Sequence, residues 1–193
     1  MKKSIIESSI IISVYNEDKF IDNCLKSLIH EIINNQIIEL IIIDNSSKDN
    51  TNYLCRKFLD KYKKTINCKL IKIKHDKLTV SRNTGIKHAE GKYLHFIDGD
   101  TIVEEGFHKN IIKSFKDTNC DIIGGNVKLL NHKSTIGSFI WNSYMSQQFT
   151  KDKALIGANM AFKKQLFDEI GFFDLCENSR GDETLLLKKY ETK

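Results

Sequence analysis

The run Tyr93-Leu94-His95-Phe96-Ile97-Asp98-Gly99-Asp100 ends an apolar stretch at two carboxylates separated by one glycine. A buried strand that delivers paired acids to its open end suits a divalent cation that must also hold substrate phosphates. Asp-Gly between apolar residues is equally a hairpin signal, with Thr101-Ile102-Val103 as the returning strand. These eight residues fit both readings, so the flanking chain has to decide between them.

Upstream, Ser9 to Val14, Ile37 to Ile43 and Cys68 to Ile73 read as strands, and Lys92 to Ile97 is the fourth. The first helix puts Phe20, Ile21, Cys24, Leu25, Leu28, Ile29, Ile32 and Ile33 on one stripe. Asn16 is its expected cap, with Glu17 and Asp18 at the positive end of the dipole. A second helix starts near Asp49 and turns Leu54, Phe58, Leu59 and Tyr62 inward. A third covers Val80 to Ala89 and is closed by Gly91. Strand and helix alternate four times with short connections. That pattern predicts an α/β fold with a mainly parallel sheet and helices on both faces, and ligands outside the carboxyl ends of its strands. Tyr15-Asn16-Glu17, Asp44-Asn45 and Asp98-Gly99-Asp100 all fall at that edge.

Downstream, Glu104 to Phe115 reads as a helix, which argues against the hairpin because Thr101 to Val103 is too short to pair well. Asp121 to Leu130 is an expected strand. Residues 131–153 carry Trp141, Tyr144 and Phe149 with weak periodicity and read as a loop or short helix over the sheet edge. Ala158 to Phe162 is a further strand, Lys164 to Ile170 a short helix ended by Gly171, and Thr184 to Tyr190 the last helix. No repeat or linker interrupts the 193 residues, so one domain over 1–193 is expected.

Apolar content of 40% with 28% charged residues belongs to a folded soluble protein. Apolar runs fall well short of the ~18 residues of a membrane span, and the start of the chain lacks a cleavable leader pattern, so a cytoplasmic address follows. The five cysteines are scattered without a Cys-x-x-Cys pair, which points away from a disulfide framework and from a zinc cluster. A formal charge of +5 suits an anionic ligand or membrane surface, but the lysines are dispersed, which disfavours nucleic acid. No Gly-x-Gly-x-x-Gly follows the first strand and no Walker loop is present, so phosphates would be held by a metal or by basic side chains.

Four stretches together resemble a family 2 glycosyltransferase of the GT-A fold: SIIISVYNE at 9–17, IIIDNSSKDNT at 41–51, VSRNTGIKHAEGKYLHFIDGD at 80–100, and IGANMAFKKQLFDEIGFFD at 156–174 followed by RGDETLLLKKY at 180–190. The resemblance runs from about Ser9 to about Leu187 and implies a three-layer α/β/α sandwich. In it, residues of about 1–100 bind the donor nucleotide and those of about 101–193 shape the acceptor side. Asp98 and Asp100 take the positions of the family's Asp-x-Asp motif, which implies a divalent metal, Mn²⁺ or Mg²⁺, on the donor diphosphate. Asp44 sits where the family contacts the base, usually uracil, and Asn45 could assist; the alternative is a turn and helix cap. Ser13, Tyr15 and Glu17 belong to the first nucleotide-binding loop, with Tyr15 either beside the base or in the core. Ser13 replaces the usual proline and Ser46 the usual glycine. Arg82 matches an arginine near the diphosphate, whose fork of donors suits phosphate oxygens.

Asp182 and Glu183 are the candidates for the base that takes the acceptor's proton. The family often has Glu-Asp here and this chain has Asp-Glu, with Asp182 placed first; acids would also suit the first turn of a helix. Gly157, Ala158 and Asn159 fall where relatives line the donor sugar and acceptor. Trp141 either stacks on an acceptor sugar or packs, and His95 points away from Asp98 and is structural. The resemblance implies inverting transfer from a nucleotide-diphosphate sugar, with UDP the expected leaving group. The acceptor would be a glycan or lipid-linked molecule in cell-envelope polysaccharide assembly, with the enzyme peripheral to the membrane. A sugar nucleotidyltransferase would need a glycine-rich loop in place of SVYNEDKF. A binding module or truncated catalytic domain is the remaining alternative, because Lys193 closely follows the last helix.

Overall fold

Strict alternation along the isoleucine-rich strands sorts the core into two layers, one on each side of a single sheet. The computed structural model describes residues 5–33, 35, 37–128, 155–175 and 182–192. The strands are β1 (Ser8–Val14), β2 (Ile38–Asp44), β3 (Asn67–Lys72), β4 (Tyr93–Asp98), β5 (Ile122–Gly124) and β6 (Asn159–Lys163), in the order β3-β2-β1-β4-β6-β5. The first four are parallel, and β6 runs antiparallel to both β4 and β5. The helices are α1 (Ile21–Ile32), α2 (Thr51–Tyr62), α3 (Leu78–His88), α4 (Phe107–Thr118), α5 (Leu166–Ile170) and α6 (Asp182–Glu191). The expected mainly parallel α/β/α sandwich is therefore present.

Ile10, Ile12, Leu40, Ile42 and Ile97 pack with α1 and α2, while Tyr93 and Ala161 meet α4. Ile11, Ile41, Ile43, Leu94, Phe96, Met160 and Phe162 fill the opposite layer with Ile86 of α3, Leu166 of α5 and Leu186 of α6. The period of two thus fixes the direction of every polar side chain at the strand ends. Ser13 pairs in register with Asp98 and lies on the α3 side, whereas Val14 pairs with Asp44 on the α1 and α2 side. The chain reverses its order between β1 and β4, which opens a crevice at their carboxyl ends.

Several local expectations change. Asn16 does not cap α1, which starts at Ile21; the backbone N–H groups of residues 16–18 are bound across to the next loop instead. No hairpin follows Asp98. The Thr101 N–H donates to the Asp98 carbonyl at 3.0 Å, and Gly106 and His108 then donate to the Glu31 carboxylate of α1, which fastens the start of α4. β5 is three residues long rather than running to Leu130. Among the described residues no helix is long and apolar enough to cross a membrane.

Gly91 follows α3, but its importance is contact rather than a left-handed cap. A Cβ there would stand 2.6 Å from the backbone of Ser8 and Ser9. Its N–H donates to the Ser9 hydroxyl, which donates in turn to Glu39 at 2.6 Å. Glu39 is fully buried, and it also receives Lys69 Nζ at 3.0 Å and the Glu90 N–H. Gly91→Ala is expected to lower stability by about 1–3 kcal/mol, because the obstruction is backbone that cannot rotate away. Urea unfolding checks this, and an unchanged midpoint would contradict it.

Candidate functional site

The β1–α1 loop and the β2–α2 loop are stitched together at the carboxyl edge of the sheet. The N–H groups of Asn16, Glu17 and Asp18 donate to Ser47 Oγ, Thr51 Oγ1 and Asp49 Oδ2 at 3.1, 2.7 and 3.1 Å. Lys48 and Asn50 donate back to the side chains of Asn16 and Asp18. Asn16 and Ser46 have φ of 55° and 59°, so position 46 demands the left-handed region in which the family's glycine is at ease. The Ser46 hydroxyl offsets that strain by donating to the Ile73 carbonyl at 2.7 Å.

A cleft of about 510 Å³ opens between these loops and the start of α3, lined among others by Ser13, Tyr15, Glu17, Asn45 and Ser81. Tyr15 is 37% exposed and its ring lies 4.3 Å from that of His75, so it is a wall of the cleft rather than a core residue. Asp44, by contrast, is fully buried on the α2 side, where its oxygens accept the Ser47 N–H at 2.9 Å and the Asn52 amide at 2.6 Å. Its carboxylate serves the turn and the helix, which was the alternative reading of that residue. Sequence reasoning missed residues 75–78, although the loop after the third strand opens on the same edge as the other three.

Beside the cleft, Arg82 of α3 is buried and collects three carboxylates from two other elements, β4 and the first turn of α6. Its Nη1 lies 2.5 Å from Asp182 Oδ2 and 3.0 Å from Glu183 Oε1, and its Nη2 lies 3.8 Å from Asp98 Oδ1. Burial opposes the charge on the guanidinium, but the three acids outweigh it and keep it protonated. The guanidinium also stands over the Phe173 ring at 5.7 Å, and the Asn83 side chain holds Phe173 through both its N–H and its carbonyl. Asp182 has a fully buried side chain, whereas that of Glu183 is 17% exposed. Burial raises the Glu183 carboxyl above its ordinary range against the pull of Arg82. Gly157 completes the corner, because a Cβ on it would strike Arg82 and Glu183.

The sequence from residue 9 to residue 171 matches the family model described as Glycosyl transferase family 2. The chain belongs to glycosyl transferase family 2. Glycosyltransferase AglE of Haloferax volcanii is 26% identical over 178 residues, covering 90% of this chain and 58% of that protein. The mannosyltransferase PcManGT of Pyrobaculum calidifontis, solved with GDP-Man and Mn²⁺, superposes with a TM-score of 0.75 at 19% identity, over 95% of this chain and 51% of that one. TarS of S. aureus with UDP-GlcNAc gives 0.70 at 20% identity, over 95% and 53%. These likenesses establish the GT-A fold, and the chain spans between half and three fifths of the length of these three proteins.

Within this family 2 domain the remaining expected residues divide. Ser13 and Glu17 reach the cleft. Asn159 does not join Arg82; its amide donates to the Asn126 carbonyl at 3.2 Å and packs on Gly125 beside β5. Ala158 is half-buried in the turn before β6. Trp141 lies outside the described residues. His95 is fully buried on the α4 side, edge-on to Phe107 and beside His108, and burial pushes its pKa down to about 3. It is structural.

The described residues contain no group of three His, Cys, Asp or Glu that could enclose a metal ion alone. A cation held by Asp98 and Asp100 would need phosphate oxygens to complete its shell, as is usual for Mg²⁺. The local chemistry fits such an ion. Glu17 Oε2 is buried without a partner among the described residues and lies against Gly99, and its carboxyl is pushed up to about 8 by burial and by Asp100, Asp98 and Asp49. An acid whose folded pKa exceeds its unfolded value contributes stability that is lost as pH rises through the folded value. Above pH 6.5 His95 adds little slope, so metal-free protein should lose melting temperature between pH 6.5 and 8.5, and Glu17→Gln should flatten that decline. Equal slopes for the two proteins would contradict the placement of Glu17.

Proposed function

We propose that this chain is the donor-binding and catalytic core of an inverting glycosyltransferase that moves a sugar from a UDP-sugar to a glycan or lipid-linked acceptor, peripheral to the membrane. The observation that carries the reading is the convergence of Asp98, Asp182 and Glu183 on the buried guanidinium of Arg82 at the carboxyl edge of the sheet. The bound UDP-GlcNAc of TarS and the GDP-Man and Mn²⁺ of PcManGT support a nucleotide-sugar donor and a divalent ion.

Asp98 and Asp100 would hold Mn²⁺ or Mg²⁺, which when bound offsets the negative charge gathering on the departing nucleoside diphosphate. Arg82 adds a fixed cation with a fork of donors beside Asp98. Glu183 is the base: its carboxyl is the more accessible of the pair and its raised pKa favours proton acceptance from an acceptor hydroxyl. The order preferred from sequence is thereby reversed, because Asp182 is fully enclosed and spends one oxygen on Arg82. Asp182 is a positioning residue that anchors the guanidinium. Gly157, lacking a side chain, leaves the base and the guanidinium room to face the donor sugar.

Thermal unfolding with UDP or GDP, each with and without Mn²⁺, tests the donor site. Nucleotide at about 100 times its dissociation constant should add about 2.7 kcal/mol of stability, and no metal-dependent shift with either would overturn the reading. Glu183→Gln should lower the transfer rate by about 10²–10⁴-fold with UDP binding retained. Asp182→Asn should instead lower stability, by up to about 3–5 kcal/mol, because it deprives a buried cation of its main partner. Near-normal transfer by Glu183→Gln would remove Glu183 as the base.

A further inference from the structure

The cleft beside Tyr15 poses a question that the Asp44 geometry sharpens: which group reads the base edge. Asp44 is turned to α2 and both its oxygens are engaged. Asn45 reaches the cleft, but its amide is spent as well. Its Oδ1 accepts the Asp76 N–H at 2.8 Å and its Nδ2 donates to the Asp76 carbonyl at 2.6 Å. Only an amide can make both bonds, because a carboxylate has no donor for the carbonyl. Two further bonds bind the same loop to the exit of β2: His75 Nδ1 to the Asn45 carbonyl at 3.1 Å and Ser46 Oγ to the Ile73 carbonyl at 2.7 Å. Residues 73–77 are thereby held as a rigid rim. Asp76 is one of the residues that line the cleft, and one of its carboxylate oxygens accepts the Lys77 N–H at 2.7 Å. The other has no protein donor among the described residues.

We propose that Asp76 is the specificity-determining residue for the donor base, accepting the N3–H of uracil, and that Asn45 is a positioning residue that acts through the Asp76 backbone. The assignment rests on the donor-site reading above and deepens it: the acid that recognises the base has passed from the end of β2 to the β3–α3 loop. A carboxylate there accepts from uracil, whose N3 carries a hydrogen, and repels cytosine, whose N3 is itself an acceptor. Tyr15 and His75 supply the flat wall and are indifferent to that distinction.

The experiment is titration of the protein with UDP, CDP and GDP, each with and without Mn²⁺, for wild type, Asp76→Ala, Asp76→Asn and Asn45→Asp. The wild type should prefer UDP. Asp76→Ala should weaken UDP about tenfold, the size of one lost charge-assisted hydrogen bond, and leave CDP unweakened; Asp76→Asn, whose amide can accept from uracil N3–H or donate to cytosine N3, should lose the preference for UDP. Asp76 is exposed, so these variants should keep the wild-type melting temperature. Asn45→Asp places an oxygen against the Asp76 carbonyl and should lower the UDP-to-CDP ratio toward that of Asp76→Ala, a change that general loosening of the fold would not produce. An unaltered ratio in the Asp76 variants, or a wild type that prefers CDP or GDP, overturns this assignment while the donor site stands. Absence of Mn²⁺-dependent binding of any of these nucleotides overturns the donor-site reading beneath it.

Discussion

One buried guanidinium organises the carboxyl edge of this sheet. Arg82 cannot be taken out of water without compensating charge, and the compensation comes from β4 and from the first turn of α6. Helix α3 packs beneath β1 and β2, so the cation sits under the switch point, and the acids that meet it are drawn to the same place. Asp182 and Glu183 also gain from the positive end of the α6 dipole, which makes the last described helix a natural source of carboxylates. The ion cluster is thus a structural clasp and, in the function proposed above, a chemical site as well. The division follows solvent: the Asp182 side chain is enclosed, while that of Glu183 stays partly open.

The amino end of the sheet carries a second buried charge, and the contrast is instructive. Glu39 accepts from Ser9, Lys69 and the Glu90 backbone, so its charge is met by donors around it and closed to other partners. At the carboxyl end the buried polar groups are incompletely met. The hydroxyls of Ser13 and Ser81 and one oxygen each of Glu17 and Asp182 are buried without a partner among the described residues. Such groups are costly in a finished core and useful where a polar ligand enters. Two networks of similar composition therefore have opposite meanings, set by whether their hydrogen-bonding capacity is used up inside the protein.

Rigidity of the site loops comes from side chains bonding to backbone across loops. Asn45 holds Asp76 and Asn83 holds Phe173, each by an amide that offers a donor and an acceptor to one residue. The loops after β1 and β2 are joined by Ser47, Asp49 and Thr51. Asn16 and Ser46 tolerate left-handed backbone at a cost of about 1–2 kcal/mol each because these bonds over-determine their positions. Preorganisation of this kind reduces the ordering cost of binding.

The order of strands and helices, the parallel sheet and the edge at which the polar loops gather were legible in the sequence, because they follow from local periodicity and from the fixed hand of strand–helix–strand units. The opening run Tyr93 to Asp100 was resolved as a strand feeding a loop and a helix for the same reason. Even the orientation of Asp44 lay within reach: it shares parity with Leu40 and Ile42, so it had to face their layer rather than that of Asp98. What tertiary structure alone decided is which polar groups are already spent. Asn16 was diverted from capping α1, Asp182 was enclosed by Arg82, Asn159 was drawn to Gly125, and Asn45 was tied to a loop 31 residues away. A sequence states how many donors and acceptors each side chain has; only the folded chain settles which of them are satisfied within the protein, because their partners arrive from distant elements.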